Sequence, residues 1–254
     1  MAQPIAIRGV SKTFGTGKAS TTALQDIELD VAAGEFIAIV GASGCGKSTL
    51  LRLIGGLMAP SEGEVLIGDS VVFEPTPGIG IVFQTPVLLP WRTVRQNVRL
   101  PLDIQRSGNE PARIDGLLEL VGLRGFEQSR PFELSGGMQQ RVALCRALVT
   151  DPSLLLMDEP FGALDALTRE QMNLELQRVW METKKTVVLI THSITEAVML
   201  ADRVVVMTPR PGRIQEIIEV PLSRPRDFSS LRRPEFHQAC ERIRTLMNAS
   251  GFVE

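Results

Sequence analysis

The stretch EFIAIVGASGCGKSTLLRLIGGL, residues 35–57, decides the fold. Its opening is a short apolar run bounded by Gly34 and Gly41, the texture of a buried strand. From Lys47 onward the pattern is helical. Between the two, Gly41, Gly46, Lys47 and Ser48 fit G-x-x-x-x-G-K-[ST], with a further glycine at Gly44. The glycines let backbone N–H groups turn inward around phosphate oxygens, and the helix N-terminus adds partial positive charge. Lys47 is placed to reach the outer phosphates and Ser48 to offer its hydroxyl to Mg2+. The whole loop, Gly41, Ala42, Ser43, Gly44, Cys45, Gly46, Lys47, Ser48 and Thr49, is the expected phosphate cradle. Cys45 lies beside Lys47 and near a helix N-terminus. Such surroundings lower a thiol pKa, so a reactive thiolate shielded by the bound phosphate ligand is expected there.

Three further stretches place chemistry at strand ends. LLLMDEP puts Asp158 and Glu159 at the end of a buried strand, where open α/β sheets bind ligands. Asp158 suits Mg2+ through its water shell, and Glu159 suits a general base on the attacking water. His192 follows VVLIT at another strand end, as one of only two histidines, and suits a γ-phosphate sensor. Gln84 ends IVFQ, with an amide able to contact Mg2+ or the attacking water.

A second phosphate-binding signal stands far from the first. In ELSGGMQQRVALCRAL, residues 133–148, Ser135 is a good N-cap and Gly136 and Gly137 permit close backbone approach. Val142, Cys145 and Val149 form one apolar face of the helix that follows, which should end at Asp151-Pro152.

Around these motifs the chain divides by texture. IAIRGVSKTF and LQDIELDV read as strands, the second half-buried and antiparallel, with GTGKASTT a loop between them. SEGEVLIGDSVV reads as a hairpin and GIGIVFQ as a short strand. From about residue 86 to 150 strand signals vanish and short helical patterns are broken by prolines and glycines, which suggests an inserted helical subdomain. SLLLMD, TVVLITH and RVVVM alternate with helical stretches, the mark of a parallel sheet covered on both faces. The 254 residues suit one large domain over 1–220, followed by an Arg- and Pro-rich extension, 221–254, ending in a short helix. A net charge of −2 argues against a nucleic-acid protein. The chain holds no 18-residue apolar run, and its start lacks the pattern of a signal peptide, so a cytosolic location is expected. The three cysteines are far apart and form no CxxC, so neither a metal site nor a disulfide framework is expected.

Taken together, these motifs resemble the ATP-binding cassette (ABC) transporter ATPase subunits over nearly the whole chain. GASGCGKST looks like the family's Walker A loop, Gln84 the Q-loop, LSGGMQQR the signature, LLLMDEP the Walker B strand, ALD at 163–165 the D-loop, and His192 the switch histidine. The resemblance implies an α/β phosphate-loop NTPase of RecA-like type, with a parallel sheet, an N-terminal antiparallel β subdomain and a helical insertion. It implies ATP and Mg2+, and a head-to-tail homodimer in which Ser135, Gly136, Gly137, Gln139 and Asp165 face the nucleotide held by the partner. Adenine stacks on a tyrosine in most members; this chain has no tyrosine, and Phe14 stands in the corresponding place. Val87, Leu88, Leu89 and Trp91 lie where the family docks a helix of the membrane subunit, though a role in the helical core is also open. LLPWRTVRQNV and PFGALDALTR look most like importer ATPases for nitrate, aliphatic sulfonates, taurine or bicarbonate. The expected partners are two integral membrane permease subunits and, indirectly, an extracytoplasmic solute-binding protein, with no nucleic acid. The expected place is the cytoplasmic side of the inner membrane, as a peripheral subunit. Two alternatives remain: a soluble ABC ATPase of DNA repair or translation, and the cassette of an exporter or lipid-transport complex. Against the soluble types stand the lack of a long heptad run and of a second cassette. The Trp91 region leans against the exporter.

Overall fold

The computed structural model describes residues 1–15, 17–108 and 110–249. The chain runs β1 (Ile5–Phe14), β2 (Thr21–Val31), β3 (Phe36–Gly41), α1 (Lys47–Ile54), β4 (Glu62–Ile67), β5 (Ser70–Val71) and β6 (Ile79–Val82). Three helices follow: α2 (Val94–Gln105), α3 (Pro111–Leu120) and α4 (Gly136–Leu148). Then come β7 (Leu154–Asp158), α5 (Ala166–Thr183), β8 (Thr186–Ile190), α6 (Ile194–Leu200), β9 (Arg203–Met207), β10 (Ile214–Glu219) and α7 (Pro234–Ala249). The last helix is 16 residues long rather than short: Pro234 starts it, where a missing N–H costs nothing, and Phe236, Ala239, Cys240 and Ile243 give it a buried face.

Two sheets form. The smaller is antiparallel, in the order β2-β1-β4-β5. The larger runs β10-β9-β3-β8-β7-β6; its pairs are parallel except for β10 at one edge. The middle strands β3 and β8 are buried along their whole length, as their unbroken apolar sequences require. Successive side chains of a strand point to opposite faces, so β3 feeds two cores. Ile37 and Ile39 pack with α1 and the antiparallel sheet. Phe36, Ala38 and Val40 pack with the helical layer, which includes Val142, Leu176, Leu200 and Phe236.

Helices α2, α3 and α4 occupy the chain between β6 and β7, where strand signals vanish in the sequence. Thr93 opens α2 with a capping box: its hydroxyl accepts the Gln96 N–H, and the Gln96 side chain accepts the Thr93 N–H. The parallel register brings four strand ends to one edge. Asp158 pairs with Ile190, and Ile190 pairs with Ile39. The phosphate loop, Asp158-Glu159, His192 and Gln84 therefore all emerge on the same side of the sheet. Among the described residues no helix is long and apolar enough to cross a membrane.

Candidate functional site

The loop from β3 to α1 folds as its glycines demand. Gly46 precedes α1 with φ +107°, and a Cβ there would meet Leu24 Cδ2 at 2.6 Å, so only glycine fits. Lys47 is 7% exposed, and its ammonium donates to the carbonyls of Gly41 (2.8 Å) and Ala42 (2.9 Å). Those bonds hold the charge at the loop's mouth until an anion competes for it.

Beyond the loop lies an open cavity of about 1420 Å3. Its walls include Phe14, Ser43, Lys47, Ser48, Glu159 and His192. Gln84 and Asp158 reach it through residues on that wall. Ser48 Oγ donates to Asp158 Oδ1 at 3.0 Å. Gln84 Nε2 donates to Glu159 Oε2 at 3.4 Å, and His192 Nδ1 lies 3.3 Å from the same oxygen. One carboxylate oxygen of Glu159, the expected general base, is thus where Gln84 and the expected γ-phosphate sensor His192 meet. Glu159 is held in the left-handed region, φ +47°, with its N–H on the Ile190 carbonyl at 2.9 Å. A non-glycine residue in that conformation is strained, and such strain gathers where a side chain must be aimed.

Burial pushes the Asp158 carboxyl up, with the Ser48 hydrogen bond acting in the opposite direction. A half-buried carboxylate next to a hydroxyl is a half-built site for a hard cation. Ser48, Asp158 and Gln84 offer oxygens only, the donor set Mg2+ prefers. No cluster of three or more His, Cys, Asp or Glu able to hold a metal exists among the described residues. An ion here would thus draw its remaining ligands from phosphate and water, the usual habit of Mg2+. Phe14 closes β1, is 40% exposed and lines the cavity with Thr21 and Ala23, so a flat ring faces the space beside the loop.

The second phosphate-binding helix start is formed as the sequence indicates. Ser135 caps α4, its hydroxyl accepting the Met138 N–H at 3.3 Å. Ser135, Gly136 and Gly137 do not line the cavity of their own chain; Ser135 and Gly136 are exposed. The Gln139 amide turns back to the carbonyls of Pro131 and Leu134. Asp165 caps α5 by accepting the Thr168 N–H at 3.0 Å, and hydrogen bonding from the Thr168 side chain, with that N–H, holds its carboxyl below the usual range.

Cys45 corrects an expectation. Its thiol is 1% exposed, and burial pushes its pKa up, outweighing the nearby Lys47. The sequence shows Lys47; it does not show that Cys45 joins one buried apolar cluster with Leu24 and Met207 from distant strands. The apolar stretch after Gln84 divides: Leu88 packs against the helical core, so that expectation holds in part. Val87 and Trp91 are 60% and 68% exposed rather than core. Their backbone is nonetheless fixed: Arg146 donates to the carbonyls of Pro86 and Val87, and buried Asn97 to those of Leu89, Arg92 and Thr93.

Some lining residues carry no motif. Arg210, in the turn between β9 and β10, donates to the Gly44 carbonyl at 3.0 Å and borders the cavity. No motif in the sequence singles Arg210 out. Arg244, Met247 and Asn248 of α7 also line the cavity, from a segment without any motif.

This fold and cavity define a phosphate-loop nucleoside triphosphatase. Comparison with known proteins goes further: the family model described as ABC transporter matches residues 24–162, and the chain belongs to that family. It is 46% identical to a taurine import ATP-binding protein of a Jannaschia species over 222 residues, 86% of this chain and 83% of the relative. It is 47% identical to the nitrate import ATP-binding protein of Synechococcus elongatus over 223 residues, 86% of this chain and 81% of the relative. Among solved structures it is similar to the ATP-binding cassette MJ0796, a dimer in a post-hydrolysis state bound to ADP and Pi. That match has a TM-score of 0.75 and 34% identity, covering 86% of this chain and all of the other.

Proposed function

We propose that this chain is the ATP-hydrolysing subunit of a membrane importer for a small anionic solute such as nitrate, taurine, another aliphatic sulfonate or bicarbonate. The observation that carries the hydrolytic part is the convergence of Gln84 and His192 on Glu159 Oε2 at the wall of the phosphate-loop cavity. Glu159 takes the proton of the attacking water, and Gln84 and His192 hold that carboxylate and the water in line. Lys47 leaves the Gly41 and Ala42 carbonyls for the outer phosphates. Ser48, Asp158 and Gln84 would hold Mg2+, which when bound would supply positive charge against the phosphates. Phe14 stacks on the adenine. Ser135, Gly136, Gly137, Gln139 and Asp165 serve the nucleotide of a second copy, which explains a phosphate-binding helix start outside its own cavity. The relatives' names support the importer and its solute class.

The exposed side chains of Val87 and Trp91, on a backbone fixed by Asn97 and Arg146, support docking of a permease subunit at the cytoplasmic face of the membrane. Tagged chain recovered from detergent-solubilised membranes should bring with it two integral membrane subunits. Trp91→Asp should release them while ATP hydrolysis by the isolated chain stays within about two-fold of wild type. Recovery of nucleic acid or ribosomes instead would overturn the transport reading.

A further inference from the structure

α6 has only seven residues and lacks a glycine stop. A helix leaves its last four carbonyls without partners of its own. Here the Ala197 carbonyl accepts the Ala201 N–H at 2.9 Å. The next three are served by the segment after β10. Arg226 Nη1 donates to the carbonyls of Val198 (2.8 Å) and Met199 (3.4 Å), and also to that of Ala201 (2.7 Å). Arg224 Nη2 donates to the Leu200 carbonyl, and the same side chain pairs with Asp202. Arg226 is 1% exposed, and among the described residues its guanidinium bonds to backbone carbonyls alone. Burial lowers its pKa to about 10, so it remains charged at neutral pH, as the negative end of a helix favours.

The same two arginines reach α5, the helix that Asp165 caps. Gln177 of α5 donates to the Arg226 carbonyl (2.6 Å) and accepts its N–H (2.8 Å). The Arg224 guanidinium lies 4.2 Å from the ring centre of Trp180. Downstream, α7 packs along α6, burying Phe236, Ala239, Cys240 and Ile243. Its last turns line the nucleotide cavity together with Ser193, Ile194 and Thr195. The segment therefore holds α6 at its rear end and along its side. At the front end of α6, Ser193 caps the helix and His192 lies next to it, 3.3 Å from Glu159. A helix of this length spans about 10 Å, so a shift at its rear is carried to His192 almost undiminished.

The geometry points to residues 221–249 as the positioning strap of the His192 switch, with Arg226 as the positioning residue that sets how His192 meets Glu159. This rests on the hydrolytic roles given above to those two residues. Through Arg226 the strap governs turnover and leaves nucleotide affinity nearly unchanged.

The test is steady-state hydrolysis of MgATP by the full chain. Arg226→Met should lower kcat about 10-fold while KM for ATP moves less than about two-fold, since small misplacements at a reacting centre cost rate before binding. Arg226→Lys, which keeps a charged donor, should recover part of the loss. In a His192→Ala background, Arg226→Met should cause no further fall in kcat, because its effect passes through His192. An equal fall in both backgrounds, or a loss expressed in KM, overturns the strap. If Arg226→Met does not fold, Gln177→Leu removes the clamp on the Arg226 backbone and leaves the carbonyl bonds in place. The same cycle then decides, with additivity again the overturning result. Wild-type kcat in His192→Ala alone refutes the hydrolytic role of His192 itself, and the strap falls with it.

Discussion

The molecule builds two helix starts suited to phosphate, and they differ in what surrounds them. The start of α1 lies inside a cavity: Lys47 is buried, Ser48 is tied to Asp158, and Glu159, His192 and Phe14 stand around the space in front. The start of α4 also sets glycines at a helix N-terminus, with Ser135 as a side-chain cap where α1 has none, and it stands outside that cavity. The first is a concave site that holds a ligand by itself. In the proposed dimer the second is a half-site that gains its phosphate from a second copy, so each chain would carry both halves of a shared site.

The largest effect is expected on the concave side. Glu159→Gln keeps shape and backbone but removes the proton acceptor, so hydrolysis should fall by about 10² to 10⁴-fold. Nucleotide binding should persist, because Lys47, Ser48 and the loop amides are untouched. With MgATP the variant should run as a stable dimer on size exclusion. Hydrolysis near the wild-type rate would remove Glu159 from the chemistry.

An intermediate effect is expected where the two halves meet. In a mixed dimer one subunit carries Lys47→Ala and the other Ser135→Arg, isolated by two different tags. Lys47→Ala removes the charge on the outer phosphates. Ser135→Arg removes a cap worth about 1 kcal/mol and fills the space before α4. If the halves are shared between subunits, both lesions fall on one site and about half of the wild-type occluded ATP should remain in single-turnover assays. If each chain completes its own site, both sites are spoiled and occlusion is lost.

The concave side was readable in the sequence because its residues follow strands. The apolar runs at 36–41, 154–158 and 186–190, each bounded by loop signals, fix a parallel sheet, and a parallel sheet sends its C-terminal ends to one edge. The α7 helix carried a legible signal too: Phe236, Ala239, Cys240 and Ile243 stand at i, i+3, i+4 and i+7, although the arginines and prolines before it drew attention to an irregular tail. Arg226 and Arg210 were not legible. Each acts on carbonyls far away in the chain, at Val198 and Gly44, and no local pattern announces such a partner. Cys45 misled for the opposite reason: the neighbours visible in sequence are polar, and the apolar cluster it joins draws on other strands.

The smallest effect sharpens the comparison at that cysteine. If the α1 loop is a packed, preformed cradle, its thiol should be inert. Burial raises the Cys45 pKa, so at neutral pH the thiolate fraction lies below that of a free cysteine and grows only as pH rises. The other two thiols, Cys145 and Cys240, are buried as well, and burial pushes both up, Cys240 to about 11. Native protein should therefore react slowly with a disulfide reagent at neutral pH, with or without MgATP. Denatured protein should react at all three cysteines at once. Cys45→Ala should keep hydrolysis within about two-fold and lower stability by about 1 kcal/mol, the cost of a small cavity among Leu24 and Met207. Fast labelling of the native chain that MgATP slows and Cys45→Ala abolishes would show the loop opening in solution. The concave site would then be assembled by its ligand instead of waiting for it.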